Sequence, residues 1–397
     1  MKKNLRPSNL ALLTASALAL PAISQHISAA GPTTTSKIKM HVGSYQEEDI
    51  QEEKTLSANR GRYDVDIGQF YLLTPAGESG EFTLNLAYEK MSGASPWFTL
   101  PGLDGEAVQV MSGATIADQR TDTALSYKHF WESFALQFNT GLSDEDDYRA
   151  KNLGISLHQE LNNGLTEVAL AFAYSRDKLR PSDSEQFLDR VESADKYLQE
   201  FGATLTQVIN TSTIVQTSLN YETQWGFLSD PYKVVFVENK ILPDTRPDTR
   251  YALSWTTDMR HYVDAANAAV KVKYRWFSDS WGVNSHTLDL QWHQNLPRDW
   301  AIIPSLRIYS QSQANFFDNT FTESTTDTFH SNDYRLSAYG ARSIGLEVRK
   351  KLGNYALGLS YKKYRSAAEY SFSESPTEAP GLVDFSLLTL KLEMEFL

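Results

Sequence analysis

Alternation of apolar and polar residues with a period of two dominates the chain. From Thr213 to Trp225 the odd positions read Thr, Val, Thr, Leu, Tyr, Thr, Trp, while Gln216, Ser218, Asn220, Glu222 and Gln224 lie between them. Such a segment is a strand with one apolar and one polar face. Val270, Val272, Tyr274 and Trp276 alternate with Lys271, Lys273 and Arg275 in the same way. Leu288, Leu290 and Trp292 alternate with Asp289, Gln291 and His293. The last segment sets Leu388, Leu390, Leu392, Met394 and Phe396 against Thr389, Lys391, Glu393 and Glu395.

Marking every such segment predicts about sixteen strands. They lie near 36–48, 61–74, 80–91, 118–130, 133–142, 147–160, 164–177 and 195–209. The second half continues near 212–225, 248–263, 267–279, 283–295, 299–314, 333–351, 354–370 and 384–397. Even-numbered connections are tight and carry turn residues, among them Asn162-Asn163, Asp264-Ala265, Pro297-Arg298 and Gly353. Odd-numbered connections are often long: 92–117, 178–194, 226–247, 315–332 and 371–383.

A soluble sandwich also has one apolar face per strand, but its strands average about 5–6 residues. Alternation this long, repeated without a domain linker, needs a tall apolar partner, and lipid provides one. The expected fold is all-β: a transmembrane, antiparallel, up-and-down β-barrel of about sixteen strands with short periplasmic turns and long extracellular loops. Trp131, Trp292, Trp300 and Tyr355 then fall near the short-turn end, and Tyr174, Trp225, Tyr251, Trp276 and Tyr361 near the long-loop end. These are the two aromatic girdles of such a barrel.

Composition agrees. Aromatics reach 12% while hydrophobic residues total only 41%. After the first thirty residues no apolar run approaches the ~18 needed for a spanning helix. The formal net charge of −12 argues against a nucleic-acid partner. The absence of cysteine removes disulfides, thiolate zinc sites and cysteine nucleophiles.

Lys2, Lys3 and Arg6 precede an apolar stretch from Leu10 to Leu20 that Pro21 interrupts. Residues 1–30 read as a signal peptide, with cleavage between Ala30 and Gly31 or earlier near Ser24. Residues 31–397 form the barrel domain. The expected location is the outer membrane of a Gram-negative bacterium, with membrane lipid and lipopolysaccharide as partners. Outward Leu390, Leu392, Met394 and Phe396 resemble the terminal-strand pattern read by the barrel-insertion machinery, although Leu397 follows the aromatic.

Several strings resemble a family of bacterial outer-membrane proteins known only as a domain of unknown function. They are Met91-Ser92-Gly93-Ala94-Ser95, Ser112-Gly113-Ala114-Thr115-Ile116 and Asp146-Asp147-Tyr148-Arg149. Others are Ser229-Asp230-Pro231-Tyr232-Lys233, Arg246-Pro247-Asp248 and Ser278-Asp279-Ser280-Trp281-Gly282. His286-Thr287-Leu288-Asp289-Leu290 and Arg335-Leu336-Ser337-Ala338-Tyr339-Gly340 complete the set. The resemblance implies an outer-membrane barrel without an established activity, and a periplasmic redox partner. Almost all the strings fall at the long-loop end. Ser92, Gly93, Ala94, Ser95, Trp97, Ser112 and Gly113 mark a loop expected to fold inward and constrict the lumen. The alternative is an ordinary ordered surface loop.

Enzymatic signatures are missing: there is no Gly-x-Ser-x-Gly, His-Glu-x-x-His, phosphate loop or dinucleotide fingerprint. His158 beside Glu160, and His293 with Asp289, share strand faces as neighbours in any polar lumen do. The tip Asp144-Glu145-Asp146-Asp147 reads as a solvated acidic turn rather than a calcium loop. No catalytic, cofactor or metal site is assigned, and the chain reads as a non-enzyme. The expected lumen wall carries Asp64, Asp66, Glu222, Asp258, Arg260, Lys271, Lys273, Arg275, Asp289 and Arg307. Such a wall suits a channel or transport component for small polar or charged solutes. The alternative is a non-conducting barrel that docks a periplasmic or lipoprotein partner, and a third reading is a barrel enzyme whose activity depends on His158 or His293.

Overall fold

The computed structural model describes residues 31–396 except 104, 113–115, 183, 185–189, 238–239, 322–328 and 374–376. The expected signal peptide, with Ala30, lies outside the described residues, as do Gly113 and Leu397; Gly31 is the first residue described. The first half supplies β1 (Ser36–Glu47), β2 (Asp64–Pro75), β3 (Gly80–Gly93), β4 (Pro96–Pro101) and β5 (Ala107–Met111). It continues with β6 (Ile116–Phe130), β7 (Phe134–Asp144), β8 (Tyr148–Leu161), β9 (Thr166–Leu179) and β10 (Ala194–Asn210). Next come β11 (Thr213–Gly226), β12 (Val234–Val237), β13 (Lys240–Pro243), β14 (Thr249–Val263) and β15 (Ala268–Asp279). The last are β16 (Asn284–Leu296), β17 (Trp300–Gln311), β18 (Tyr339–Leu352), β19 (Tyr355–Ala367) and β20 (Phe385–Phe396).

Sixteen of these form one closed antiparallel barrel, each pairing with its neighbour along the chain. β20 returns to β1 in register from Ser36 opposite Phe396 to Glu47 opposite Phe385. Closure satisfies the backbone of both end strands, which lipid would otherwise leave without partners. The four remaining strands make two hairpins, β4–β5 and β12–β13, inside long connections. At the other end the chain reverses tightly. Asn162, Asn163, Arg298 and Asp299 all adopt positive φ near 50–60°, the geometry of a two-residue hairpin turn.

Register separates two faces. Across β7, β8, β9 and β10, Phe138, Ile155, Phe172 and Phe201 stand side by side. Across β17, β18, β19 and β20 the same row reads Ile302, Val348, Leu359 and Leu390. These are the lipid-facing rows, and the expected girdle residues in the strands share their face. On the opposite face the barrel buries polar groups, including Glu89, Arg120, Lys128, Gln137 and Glu200. The lumen is therefore not the apolar core.

That core lies in the long loops. Leu228, Trp281, Val283, Ala314, Phe317, Leu336 and Ala379 form one buried cluster, drawn from four separate connections. Smaller clusters join Tyr63, Val65 and Met91, then Ile50, Ala94 and Met111, then Val235, Val237 and Phe321. The expected strand near 333–351 starts later, at Tyr339, because Tyr334–Leu336 makes a 3-10 turn. The Asp333 side chain caps that turn by accepting from the Arg335 N–H at 3.1 Å.

The expected terminal-strand residues Leu390, Leu392, Met394 and Phe396 all share the outward face. Leu390 sits between Val42 and Leu359 within the lipid band. Replacing it by Arg is expected to destabilise the barrel by about 2–4 kcal/mol, read from urea unfolding in lipid vesicles. Thr389→Ser, on the lumen side of the same strand, should leave the unfolding midpoint unchanged.

Candidate functional site: a capped lumen

Loops from different sides of the barrel meet at the long-loop end. The β4–β5 hairpin leaves the barrel between β3 and β6. It is held by distant partners: the Thr99 hydroxyl donates to the Asn319 carbonyl, and the Lys233 ammonium donates to the Pro96 carbonyl at 2.9 Å. The Thr55 hydroxyl donates to the Gln109 carbonyl at 2.7 Å. Asn319 lies between β17 and β18, Lys233 between β11 and β14, and Thr55 between β1 and β2. A hairpin tied to all three reaches across the mouth.

The hairpin's root needs a glycine. Gly93 has φ of +131°, and a Cβ there would collide with the carbonyl oxygen of Arg62. Met91, Ala94 and Ser95 around it are buried, and Ser95 N–H donates to the Ser112 hydroxyl at 3.0 Å. Ser92 turns outward, and the Trp97 ring meets Phe98 edge-on with centroids 4.9 Å apart.

Charge locks the cap. The Arg335 guanidinium contacts Asp230 at 2.8 Å and also clasps Asp333. Arg246 contacts Asp244 at 2.7 Å and Asp333 at 2.9 Å. All three carboxylates are fully buried. Burial alone would raise the Asp333 carboxyl, but the charges of Arg335, Lys233 and Arg246 overcome it and hold the group well below the usual carboxylate range. Burial pushes the Lys233 ammonium down, partly offset by Asp333. The Arg62 guanidinium adds a second tie: it binds Glu47 at 2.8 Å and donates to the Gly381 carbonyl at 3.0 Å.

This cap was not among the residues expected to form the site. Its chemistry was visible only as strings: Asp230 and Lys233, Arg246, and Arg335 each lie in one. A lone charged residue in a long loop looks solvated until its partner in another loop is known.

Within the barrel, Glu222, Asp258, Arg260, Lys271, Lys273, Arg275, Asp289 and Arg307 line the lumen as expected from alternation. Lys271 meets Asp258 at 3.1 Å, Arg260 meets Asp258 at 3.3 Å, and Arg307 meets Asp289 at 3.7 Å. Lys391 reaches Glu347 at 2.7 Å. Among the described residues Lys273, Arg275 and Lys362 form no ion pair. On nearby strands Glu200 stands directly opposite Glu222.

Asp64 and Asp66 are corrections. Register puts them in line with Gly68, Phe70 and Leu72, opposite Gln46, Ser44, Val42, Met40 and Ile38, on the outward face. Val65 and Ile67 point inward instead, against Tyr63 and Met91. Beneath the cap the interior becomes apolar while the exterior meets polar headgroups. The polarity of the two faces therefore inverts near the top of β2.

The two histidines find other partners. His158 shares a contact with the Ser156 hydroxyl at 3.1 Å and one with Glu167 at 3.4 Å. His293 meets Gln291 at 3.1 Å. Ser156 is buried, while His158 and Glu167 line an open cavity near the short-turn end. At the acidic tip, Glu145 and Asp147 turn inward and meet Asp118, with one oxygen of each within 4.8 Å of the others. The Tyr232 hydroxyl donates to Asp147. Burial, then the charges of Asp118 and Asp147, push the Glu145 carboxyl up to about 9. Asp144 and Asp146 are exposed, as a solvated turn requires, while Glu145 and Asp147 turn inward to form a small acidic corner with Asp118.

Comparison with known proteins places the chain. The model of a family described as "Protein of unknown function (DUF3570)" matches residues 10–383. The chain belongs to this family. No curated protein matches it. CdiB from Acinetobacter baumannii superposes with a TM-score of 0.52 at 8% identity, over 92% of this chain and 60% of that one. The siderophore receptor PirA from Pseudomonas aeruginosa gives 0.43 at 11% identity, over 90% and 62%. OccD3 (OpdP) from the same species gives 0.41 at 9% identity, over 94% of each chain. The chain spans about three fifths of the length of PirA and CdiB. The likeness shows the fold alone: that of a Gram-negative outer-membrane barrel.

Two outcomes test the cap. Breaking a buried charge pair by removing one partner costs about 3–5 kcal/mol. Arg335→Ala should therefore expose the long-loop end to rapid proteolysis while the barrel keeps its heat-sensitive gel mobility. The second concerns Glu145. Its folded pKa lies above its unfolded value, so its contribution is complete below about pH 4 and is lost as pH rises towards about 9. The protection factor of the Tyr148 amide, the intrinsic exchange rate divided by the observed rate at each pH, should fall over that range, and Glu145→Gln should flatten the dependence.

Proposed function

We propose that this barrel passes small polar or charged solutes across the outer membrane and that the loop cap gates the passage. The observation that carries the reading is the lumen wall. Lys273, Arg275 and Lys362 project from β15 and β19 without a paired acid among the described residues, close to wall positions where Asp258, Asp289 and Glu347 are already engaged. Glu222 supplies the opposite sign from β11. Lys273 stands in register between Asp258 and Asp289, while Arg275 and Lys362 have no ion-paired acid among the described residues, and charge of both signs along a polar lumen orients a small polar solute. A wall built only for stiffness would gain from pairing every charge.

The cap supports a second reading. Its apolar clusters and buried ion pairs cover the outer mouth, as suits a non-conducting barrel that docks a periplasmic or lipoprotein partner. The family resemblance adds that this partner belongs to redox chemistry. The two readings separate on conductance.

Single-channel recording in a planar bilayer, on protein whose gel mobility shifts on heating, is the test. Rare openings are expected from the native chain and steady ohmic steps from Arg246→Ala combined with Arg335→Ala. Replacing Lys271, Lys273 and Arg275 by Gln should then move selectivity towards cations. Silence from both the native chain and the loosened cap would overturn the transport reading, and stoichiometric copurification of a partner would support the second.

A further inference from the structure

The outward face of the barrel carries charge in an uneven way. Four strands define one region through consecutive rows. The uppermost row reads Asp144, Arg149, Lys178, Asp195 across β7, β8, β9 and β10, and the next reads Leu142, Lys151, Arg176, Tyr197. Below them come Thr140, Leu153, Tyr174, Gln199 and then the lipid row of Phe138, Ile155, Phe172 and Phe201. Four cations thus sit as two directly opposed pairs, Arg149 with Lys178 and Lys151 with Arg176, immediately above the apolar band.

Like charges directly opposite each other across a strand pair are destabilising. Acids relieve only part of this. Arg149 binds Asp144 at 2.9 Å and Arg176 binds Asp195 at 3.2 Å, both on exposed side chains. Lys151 and Lys178 form no ion pair among the described residues. The Arg176 guanidinium also lies over the Tyr197 ring, 5.8 Å from its centroid, which holds it at the membrane boundary.

A second region repeats the arrangement across the barrel. Arg342 on β18 stands opposite Arg365 on β19, and the row beneath them pairs Ile344 with Lys363. Lys363 is engaged by Glu48. Arg342 packs over the Tyr370 ring at 4.3 Å, and neither Arg342 nor Arg365 has an acid partner among the described residues. Below lie Leu346 and Tyr361, then Val348 and Leu359. At the short-turn end the outward Lys350 differs: its ammonium donates to the Arg298 carbonyl and lies over the Trp300 ring. The concentration of cations belongs to one leaflet, on a chain whose formal net charge is −12.

We propose that these two regions bind the phosphates of a phosphorylated outer-leaflet lipid, the lipid A portion of lipopolysaccharide. The chemistry fits at three points. Guanidinium and ammonium groups pair with phosphate, Arg in a forked geometry. The cations lie where headgroups meet the apolar band, so acyl chains can lie along Leu153, Ile155, Leu346 and Leu359 while phosphates reach the charge above. Bound phosphate also removes the repulsion that the cross-strand pairs otherwise impose. This inference does not depend on whether the lumen conducts.

Native mass spectrometry of the folded, full-length barrel in micelles tests it, with diphosphorylated lipid A and the same lipid stripped of phosphate as probes. Retention of the diphosphorylated lipid over the stripped one is expected. Each headgroup-level cation contributes enough that Lys151→Gln with Lys178→Gln should weaken binding by about tenfold to thirtyfold. Arg342→Gln with Arg365→Gln should do the same at the other region, and Lys350→Gln should change nothing. A second readout guards against a folding defect. In phosphate-free micelles the Lys151→Gln, Lys178→Gln variant should be at least as heat-resistant as the native barrel, because repulsion has been removed, and the order should reverse with lipid A. Equal retention of both lipids, undiminished binding by the variants, or an equal loss in Lys350→Gln would each overturn the proposal.

Discussion

Lipid offers no hydrogen-bond partner, and that constraint organises the molecule. Every backbone group within the membrane must find its partner in the neighbouring strand, so the sheet closes and β20 meets β1. Closure spends the apolar face of each strand on the outside. The lumen is left polar, and the packing that a soluble protein would place at its centre has nowhere to go except the long loops. The cluster around Trp281, Phe317 and Leu336 is that displaced core.

The cap and the wall handle charge differently, for reasons of solvation. In the cap, Asp230, Asp244 and Asp333 lose water entirely, and each is met by a guanidinium. A buried charge without a partner would cost several kcal/mol, so the loops must close in one arrangement or not at all. In the wall, Lys362 keeps access to the lumen and tolerates the lack of an ion pair, while Lys273 stands between Asp258 and Asp289. The first arrangement ties loops from different sides together and the second leaves charge open to the lumen.

Sequence made the barrel legible because one rule, alternation, acts on every strand at once. The sixteen segments appear in order, and the tight turns fall where Asn162-Asn163 and Pro297-Arg298 pointed. Asp64 and Asp66 went astray for a physical reason. Alternation reports which face is apolar, and at the top of β2 the apolar face is the inside, where Val65 and Ile67 meet Met91. The short hairpins stayed hidden because Val234–Val237 is too brief to show a period. The small residues at Gly93 marked a tightly packed loop, which the structure shows as the root of the β4–β5 hairpin. Its anchors, Asn319 and Lys233, were not, because no local pattern connects positions so far apart along the chain.

The same distance separates the partners that hold the cap together. Arg246 and Asp333 are 87 residues apart, and Arg62 and Gly381 are 319 apart, yet each pair touches. A lipid-facing leucine can be exchanged for another apolar residue, since lipid asks only for hydrophobicity. Arg335 has no such freedom: it must present donors to Asp230 and Asp333 together, and a lysine would replace a fork with a point charge. Specific residues therefore accumulate where protein contacts protein, at the mouth, and interchangeable ones where protein contacts lipid.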